Sequence, residues 1–140
     1  MSQENKALVR QVFEEIYTGK NVDLADEIYS PDFVDNDPAA PEEMRRGPEG
    51  VKAQAAMYKA AFPDISITVE DQVAEGDKVV TRWTVKGTHE GELMGVPATG
   101  KSVSITGITI SRIADGKVEE EWTNWDGLGL MEQIGALGGE

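Results

Sequence analysis

The sequence has no cysteine, one histidine and few basic residues, with 13 Lys and Arg against 26 Asp and Glu in 140 residues. Without cysteine, disulfides, thiolate nucleophiles and Cys-based zinc sites are excluded. The lone His89 cannot form a metal site by itself, so no metal site is predicted. A net charge of −13 repels nucleic acid and anionic membranes, and we expect neither as a partner.

Long apolar runs are also missing. No stretch approaches the ~18 residues that a membrane span needs. The N-terminal residues 1–6 are polar and lead directly into a helical pattern, so we expect no signal peptide and a cytoplasmic location. A chain of 140 residues has the usual size of one domain, and we predict a single domain over residues 1–140.

The first half of the sequence has helical periodicity. Apolar residues recur at spacings of three and four between Leu8 and Tyr17, which predicts an amphipathic helix. A short second helix ends before Pro31. A third helix begins at Pro48, because proline favours a first-turn position, and ends before Pro63.

From residue 65 onward, apolar and polar residues alternate, which predicts four long strands, the last running from Lys117 to Trp125. Residues 33–37 form a brief extended piece. Asp115–Gly116 is the strongest turn signal, since a two-residue hairpin loop needs positive φ at both positions. Helices followed by antiparallel strands predict an α+β fold in which helices cover the concave face of a curved sheet and leave a pocket.

Eight short segments form an ordered pattern that covers nearly the whole chain. They are residues 5–10 (NKALVR), 31–38 (PDFVDNDP), 61–64 (AFPD), 76–83 (GDKVVTRW), 87–92 (GTHEGE), 97–100 (PATG), 115–118 (DGKV) and 122–126 (WTNWD). Together they resemble the SnoaL-like polyketide cyclases. The resemblance implies a nuclear transport factor 2-like cone, with three N-terminal helices packed on a curved, mostly antiparallel sheet. It also implies ring closure by intramolecular aldol condensation of a polyketide ester, without metal or cofactor.

By the same resemblance, the acid/base aspartate of the family falls on Asp126, and Asn36 stands where the family commonly has histidine. The residues alone leave two roles open for Asp126: a pocket carboxylate whose pKa is raised by burial, or the N-cap of a terminal helix. Side chains alternate along a strand, so an inward Asp126 would bring Trp122 and Asn124 into the pocket. Asn124 would then hold a carbonyl or enolate oxygen and Trp122 would pack a flat ring, unless the tryptophan serves core or dimer packing.

Five further residues are candidates for the pocket. His89 is either a second acid/base at the pocket rim or an exposed residue at a strand end. Arg82 either pairs with a carboxylate of the pocket or substrate, or lies on a solvated outer face. Asp35 presents the same inward-or-outward choice. Tyr17 and Tyr58 lie on the buried faces of their helices, and we expect their hydroxyls to reach the cavity.

These observations predict a cofactor-independent cyclase- or isomerase-type enzyme for a small, largely apolar carbonyl compound. Asp126 would move a proton next to a carbonyl, while Asn124, Asn36 or His89 would stabilise the oxyanion.

Two alternatives stay open. One is epoxide hydrolysis on the same fold, for which Arg82 and Asp35 are the available arginine and second aspartate. The other is a non-catalytic small-molecule binding protein. We also expect a homodimer, formed through an outer sheet face that bears Trp83 or Trp125.

Overall fold

A computed structural model describes residues 2–135. Its helices lie mainly in the first half of the chain, as the periodicity predicts. They are α1 (Ser2–Gln11), which continues as a π-helical turn (Val12–Ile16), α2 (Ala25–Ile28), α3 (Gly47–Ala61) and the C-terminal α4 (Gly127–Gln133), with 3₁₀ turns at Val22–Leu24 and Glu42–Met44.

Five strands form one mixed sheet in the order β1-β5-β4-β3-β2. The strands are β1 (Tyr29–Asp35), β2 (Ser66–Glu75), β3 (Lys78–Thr88), β4 (Ser102–Ala114) and β5 (Lys117–Trp125). The four long strands pair antiparallel, as predicted. The brief extended piece is a longer strand than predicted, and it pairs in parallel with β5.

Two tight turns set the register of the hairpins. Asp115 and Gly116 have φ values of 52° and 74°, the left-handed conformation that a two-residue hairpin loop requires. Gly76, between β2 and β3, has a φ of 61°. Register shifts within these hairpins, between Val69 and Asp71 and between Arg112 and Ile113, change which residues of β2 and β5 face inward.

The inner face of the sheet packs against the helices. On β4, burial alternates strictly from Val103 to Ile113, and the intervening residues are more exposed. Buried residues of α1, the π-helical turn, α2, β1 and α3 form one core cluster with the sheet, and a second cluster joins the end of α3 to β4 and α4. The result is the predicted α+β cone. Within residues 2–135, no helix is both long and apolar enough to cross a membrane.

Candidate active site

A cavity lies between the inner sheet face and the helices. Its empty space, counted out to the mouth and including open solvent, is about 890 Å³, and the centre of a water molecule can reach about 120 Å³ of the cavity. Apolar and aromatic side chains dominate the walls, with acidic and amide groups among them. The lining residues are Phe13, Tyr17, Asp35, Asp37, Gln54, Tyr58, Phe62, Ile65, Ile67, Trp83, Val85, Lys86, Gly87, Val103, Ile105, Thr109, Glu121, Thr123, Trp125 and Leu130.

The pairing of β4 with β5 places three alternate residues at the end of the last strand in this cavity. Glu121 pairs with Ser111, and Trp125 pairs with Gly107, both positions on the buried face of β4. Side chains two residues apart share a face, so Glu121, Thr123 and Trp125 all point inward. Each of the three lines the cavity.

Glu121 is a buried carboxyl group with a shifted pKa. It is 4% exposed, and it accepts hydrogen bonds from Ser111 Oγ at 2.8 Å and from Tyr29 Oη at 3.3 Å. Burial, assisted by the nearby charge of Asp35, outweighs these hydrogen bonds and raises the pKa of Glu121 to about 8. A carboxyl group with such a pKa can both give and take a proton near neutral pH.

Two aspartates at the end of β1 lie beside it. The carboxylate of Asp35 is buried and accepts hydrogen bonds from Gln54 Nε2 at 2.8 Å and from the backbone N–H of Asp37 at 2.9 Å. Asp37 accepts from Trp125 Nε1 at 3.2 Å and from the backbone N–H of Ala39 at 2.8 Å. Burial raises the pKa of Asp37. Both oxygens of each aspartate thus have donors, which fixes the two carboxyl groups in place.

Two tyrosines complete the polar wall. Tyr17 and Tyr58 both line the cavity. Burial, with the nearby acidic groups, raises the pKa of both phenols above the ordinary value. They therefore stay protonated at neutral pH and can donate. Neither hydroxyl has a hydrogen-bond partner in the part of the chain that the structure describes.

The sequence model of the SnoaL-like polyketide cyclases matches residues 7–134, which is most of the chain. This chain belongs to the SnoaL-like polyketide cyclase family.

Individual members of the SnoaL-like family agree with the match. Aklanonic acid methyl ester cyclase DnrD of Streptomyces peucetius is 34% identical over 133 residues, covering 91% of this chain and 88% of the relative. Nogalonic acid methyl ester cyclase of Streptomyces nogalater is 29% identical, with coverage of 84% and 87%. The solved structure of TsrD from Streptomyces laurentii is 35% identical and superposes with a TM-score of 0.82, covering 94% of this chain and 97% of that one. The relatives support a cyclase-type enzyme on this fold.

Asp126, predicted by the resemblance to be the acid/base residue, does not line the cavity. It is exposed at the N-cap of α4, where Oδ1 accepts a hydrogen bond from the backbone N–H of Gly129 at 2.8 Å. The prediction that Asp126 faces the pocket is therefore wrong. The physical reason is that α4 begins at Gly127, directly after β5, and its free N–H groups take the carboxylate as their cap.

The prediction that Trp122 and Asn124 face the pocket together with Asp126 is also wrong. Trp122 pairs with Ile110 and Asn124 with Ile108 on the outer face of the sheet, and neither lines the cavity. Conversely, Trp83 and Trp125, predicted for an outer dimer face, both line the cavity. Each error follows from choosing the wrong parity for a strand.

Asn36 and Arg82 also lie outside. Asn36 is exposed, and its Nδ2 donates to Glu120 Oε2 at 2.9 Å. The exposed Arg82 lies 3.9 Å from Asp71, with its side chain half in solvent. Asp35 does line the cavity, as the inward alternative predicts. The arginine–aspartate pair that epoxide hydrolysis needs is therefore not formed by Arg82 and Asp35.

His89 is neither at the cavity rim nor exposed. It has no exposed surface, and its ring packs beside Phe62, with centroids 5.8 Å apart. Nδ1 lies 3.0 Å from Thr99 Oγ1, and Nε2 has no hydrogen-bond partner among residues 2–135. Through its contact with Thr99, His89 holds the segment between β3 and β4, and it does not line the cavity.

Among the cavity residues missed from the sequence, three carry a carboxyl or amide group: Glu121, Asp37 and Gln54. Glu121 lies in the run Glu119–Glu120–Glu121, which has the composition of a solvated edge. The available signal was Trp125, since a tryptophan four residues later shares the face of Glu121 and needs apolar surroundings. Within residues 2–135, no group of three or more His, Asp or Glu side chains is arranged to hold a metal ion.

Proposed function

We propose that this protein closes a ring in a small, largely apolar carbonyl compound by an intramolecular aldol reaction, with Glu121 as the acid/base group. The observation that carries the proposal is the position of a buried carboxyl group of raised pKa in the wall of an apolar cavity. The names of the relatives, which are methyl ester cyclases, support the same reaction class.

The proposed reaction begins with proton abstraction. Ionised Glu121 takes a proton from a carbon next to a carbonyl, and the electron pair of that C–H bond forms an enolate. The enolate carbon then attacks a ketone carbon of the same molecule, so that a C–C bond forms and the ketone oxygen becomes an alkoxide. The alkoxide takes the proton back from Glu121. The sequence is redox-neutral and returns the carboxylate to its starting state, so it needs no cofactor.

The tyrosine hydroxyls suit the developing negative charge. Tyr17 and Tyr58 are protonated donors without partners among residues 2–135. A donor already placed in a cavity with little water stabilises an oxyanion more than water does. We propose that these hydroxyls bind the enolate and alkoxide oxygens, the role that the sequence suggested for Asn124, Asn36 or His89. Asp35 acts through Glu121, because its charge helps to raise the pKa of that residue.

The test compares Glu121→Gln with Glu119→Gln. Glu119 lies on the same strand but does not line the cavity, so it controls for loss of an acidic residue. The assays are deuterium exchange at the α-carbon of methyl benzoylacetate and ring closure of diketo esters. We expect Glu121→Gln to lower both rates at least 100-fold, the usual size of an acid/base contribution, and Glu119→Gln to leave them unchanged. A folded Glu121→Gln protein with undiminished rates would point instead to another acid/base group, and absence of activity in the wild type would favour the binding-protein alternative.

The homodimer and the cytoplasmic location stay predictions. The outer sheet face that could mediate a dimer carries Trp122, Ile108 and Val73, of which Ile108 is 47% and Val73 is 62% exposed. Sedimentation equilibrium of the purified protein would measure the subunit number.

A further inference from the structure

Gln54 has a fixed amide orientation. It lies on α3, is 3% exposed and lines the cavity. Its Nε2 donates to Asp35 Oδ2 at 2.8 Å and to the backbone oxygen of Met44 at 2.9 Å. A backbone carbonyl can only accept, so the amide cannot be reversed without placing two acceptors together. The two hydrogen bonds therefore determine which atom of the amide is free.

The free atom is the carbonyl oxygen. Gln54 Oε1 has no hydrogen-bond partner in the described part of the chain. It is not one of the fully buried atoms without a partner in that part, so it keeps some accessible surface. Gln54 lines the cavity and is only 3% exposed, and from this we infer that the accessible surface of Oε1 faces the cavity.

An acceptor in this position has a chemical requirement. A buried acceptor left without a donor costs roughly 1–3 kcal/mol, so a ligand that offers only carbonyl or ether oxygens at this point is disfavoured. Tyr17 and Tyr58 have the opposite preference, because their protonated hydroxyls suit a carbonyl oxygen. The oxygens of Asp35 already accept from Gln54 and from the backbone of Asp37, which leaves Gln54 Oε1 as the unsatisfied acceptor on this side.

We propose that Gln54 is a specificity-determining residue whose Oε1 accepts a hydrogen bond from a hydroxyl group of the substrate. The cavity then selects apolar carbonyl compounds that also carry a phenolic or enolic hydroxyl, and it discriminates against their O-methyl ethers. The inference rests on the proposed function in one respect, namely that the cavity is the substrate site. It does not depend on which carboxyl group moves the proton.

The test uses 2-naphthol and 2-methoxynaphthalene, two flat probes that differ in one donor. Binding is followed by tryptophan fluorescence, since Trp83 and Trp125 line the cavity. We expect 2-naphthol to bind roughly five- to tenfold more tightly, the usual effect of one hydrogen bond. Equal affinities, tighter binding of the ether or failure of both probes to bind would each contradict the proposal.

A second measurement identifies the acceptor. In protein labelled with ¹³C-glutamine, the Cδ signal of Gln54 is assigned by its loss in Gln54→Met. We expect 2-naphthol to shift this signal and 2-methoxynaphthalene to leave it near its position in the free protein. Gln72, which donates to Lys6 and Thr81 outside the cavity lining, is the internal control. A hydroxyl preference without a selective shift at Gln54 would assign the acceptor elsewhere and overturn the proposal. Neither measurement requires turnover. Their results therefore do not depend on whether Glu121→Gln is found to be inactive or fully active.

Discussion

The two faces of β5 differ in almost every property although their residues alternate along a single strand. Inward, Glu121, Thr123 and Trp125 line an apolar cavity. Outward, Trp122 and Asn124 pair with residues of the outer face of β4. The same acidic composition thus gives a solvated surface on one face and a carboxyl group of raised pKa on the other. The difference teaches that the chemistry of a residue in this sheet depends on which face its side chain occupies rather than on its neighbours in sequence.

The largest expected difference between the faces is in the dependence of stability on pH. Burial raises the pKa of Glu121 from 4.5 to about 8, so between these pH values the folded protein holds a proton that the unfolded chain has released. The free energy of unfolding therefore falls as pH rises from about 4.5 to about 8, by up to ~1.4 kcal/mol per pH unit from this group. We expect Glu121→Gln to flatten this slope in urea titrations at pH 5, 6, 7 and 8.

The matched control is Glu119→Gln, which should retain the wild-type slope. If Glu121→Gln kept the full slope as well, burial of the Glu121 carboxyl group would not be its source.

A smaller difference is expected on β4, where Gly107 lies inside and Ile108 outside. A Cβ atom at Gly107 would overlap the indole of Trp83, whose Nε1 donates to Thr109 Oγ1 at 3.0 Å. Gly107→Ala should therefore displace Trp83 into the cavity and destabilise the protein by about 1–3 kcal/mol, as overpacking usually does. Ile108→Ala, at a side chain 47% exposed, should cost less than about 1 kcal/mol. Thermal unfolding with Trp fluorescence measures both, and equal losses would contradict the assigned faces.

The element order and the hairpin turns could be predicted from the sequence because they depend on local signals. Asp115–Gly116 needs positive φ at two adjacent positions, and few residues other than Asp, Asn and Gly tolerate that conformation. The parallel pairing of β1 with β5 could not be predicted, since the two strands are separated by the rest of the domain and their pairing is tertiary.

The site was harder to predict than the fold for the same reason. Glu121 gains its pKa from burial and from Asp35, and its hydroxyl partner Tyr29 is 92 residues away in sequence. The sequence carries no local mark of such contacts. A register shift between Arg112 and Ile113, opposite β5, further obscures the inward and outward pattern just before Glu121. The motif that led to Asp126 was real, but its local signal is that of a helix N-cap.

The smallest expected effect is therefore at Asp126. It distinguishes a role of Asp126 as the N-cap of α4 from a role as the acid/base group of the cavity. Removal of the hydrogen bond to the backbone of Gly129 by Asp126→Ala should cost about 1 kcal/mol of stability, whereas Asp126→Asn should be nearly neutral, because asparagine is as good an N-cap as aspartate. Urea unfolding measures both variants, and the α-carbon exchange assay measures their rates per folded molecule. We expect both rates to stay within about twofold of wild type. If Asp126→Asn lost as much exchange activity as Glu121→Gln, with stability unchanged, the acid/base role would return to Asp126. The N-terminus of α4 would then have to move so that this carboxylate enters the cavity. In the present geometry the first turn of the helix holds the carboxylate, which lies outside the cavity lining.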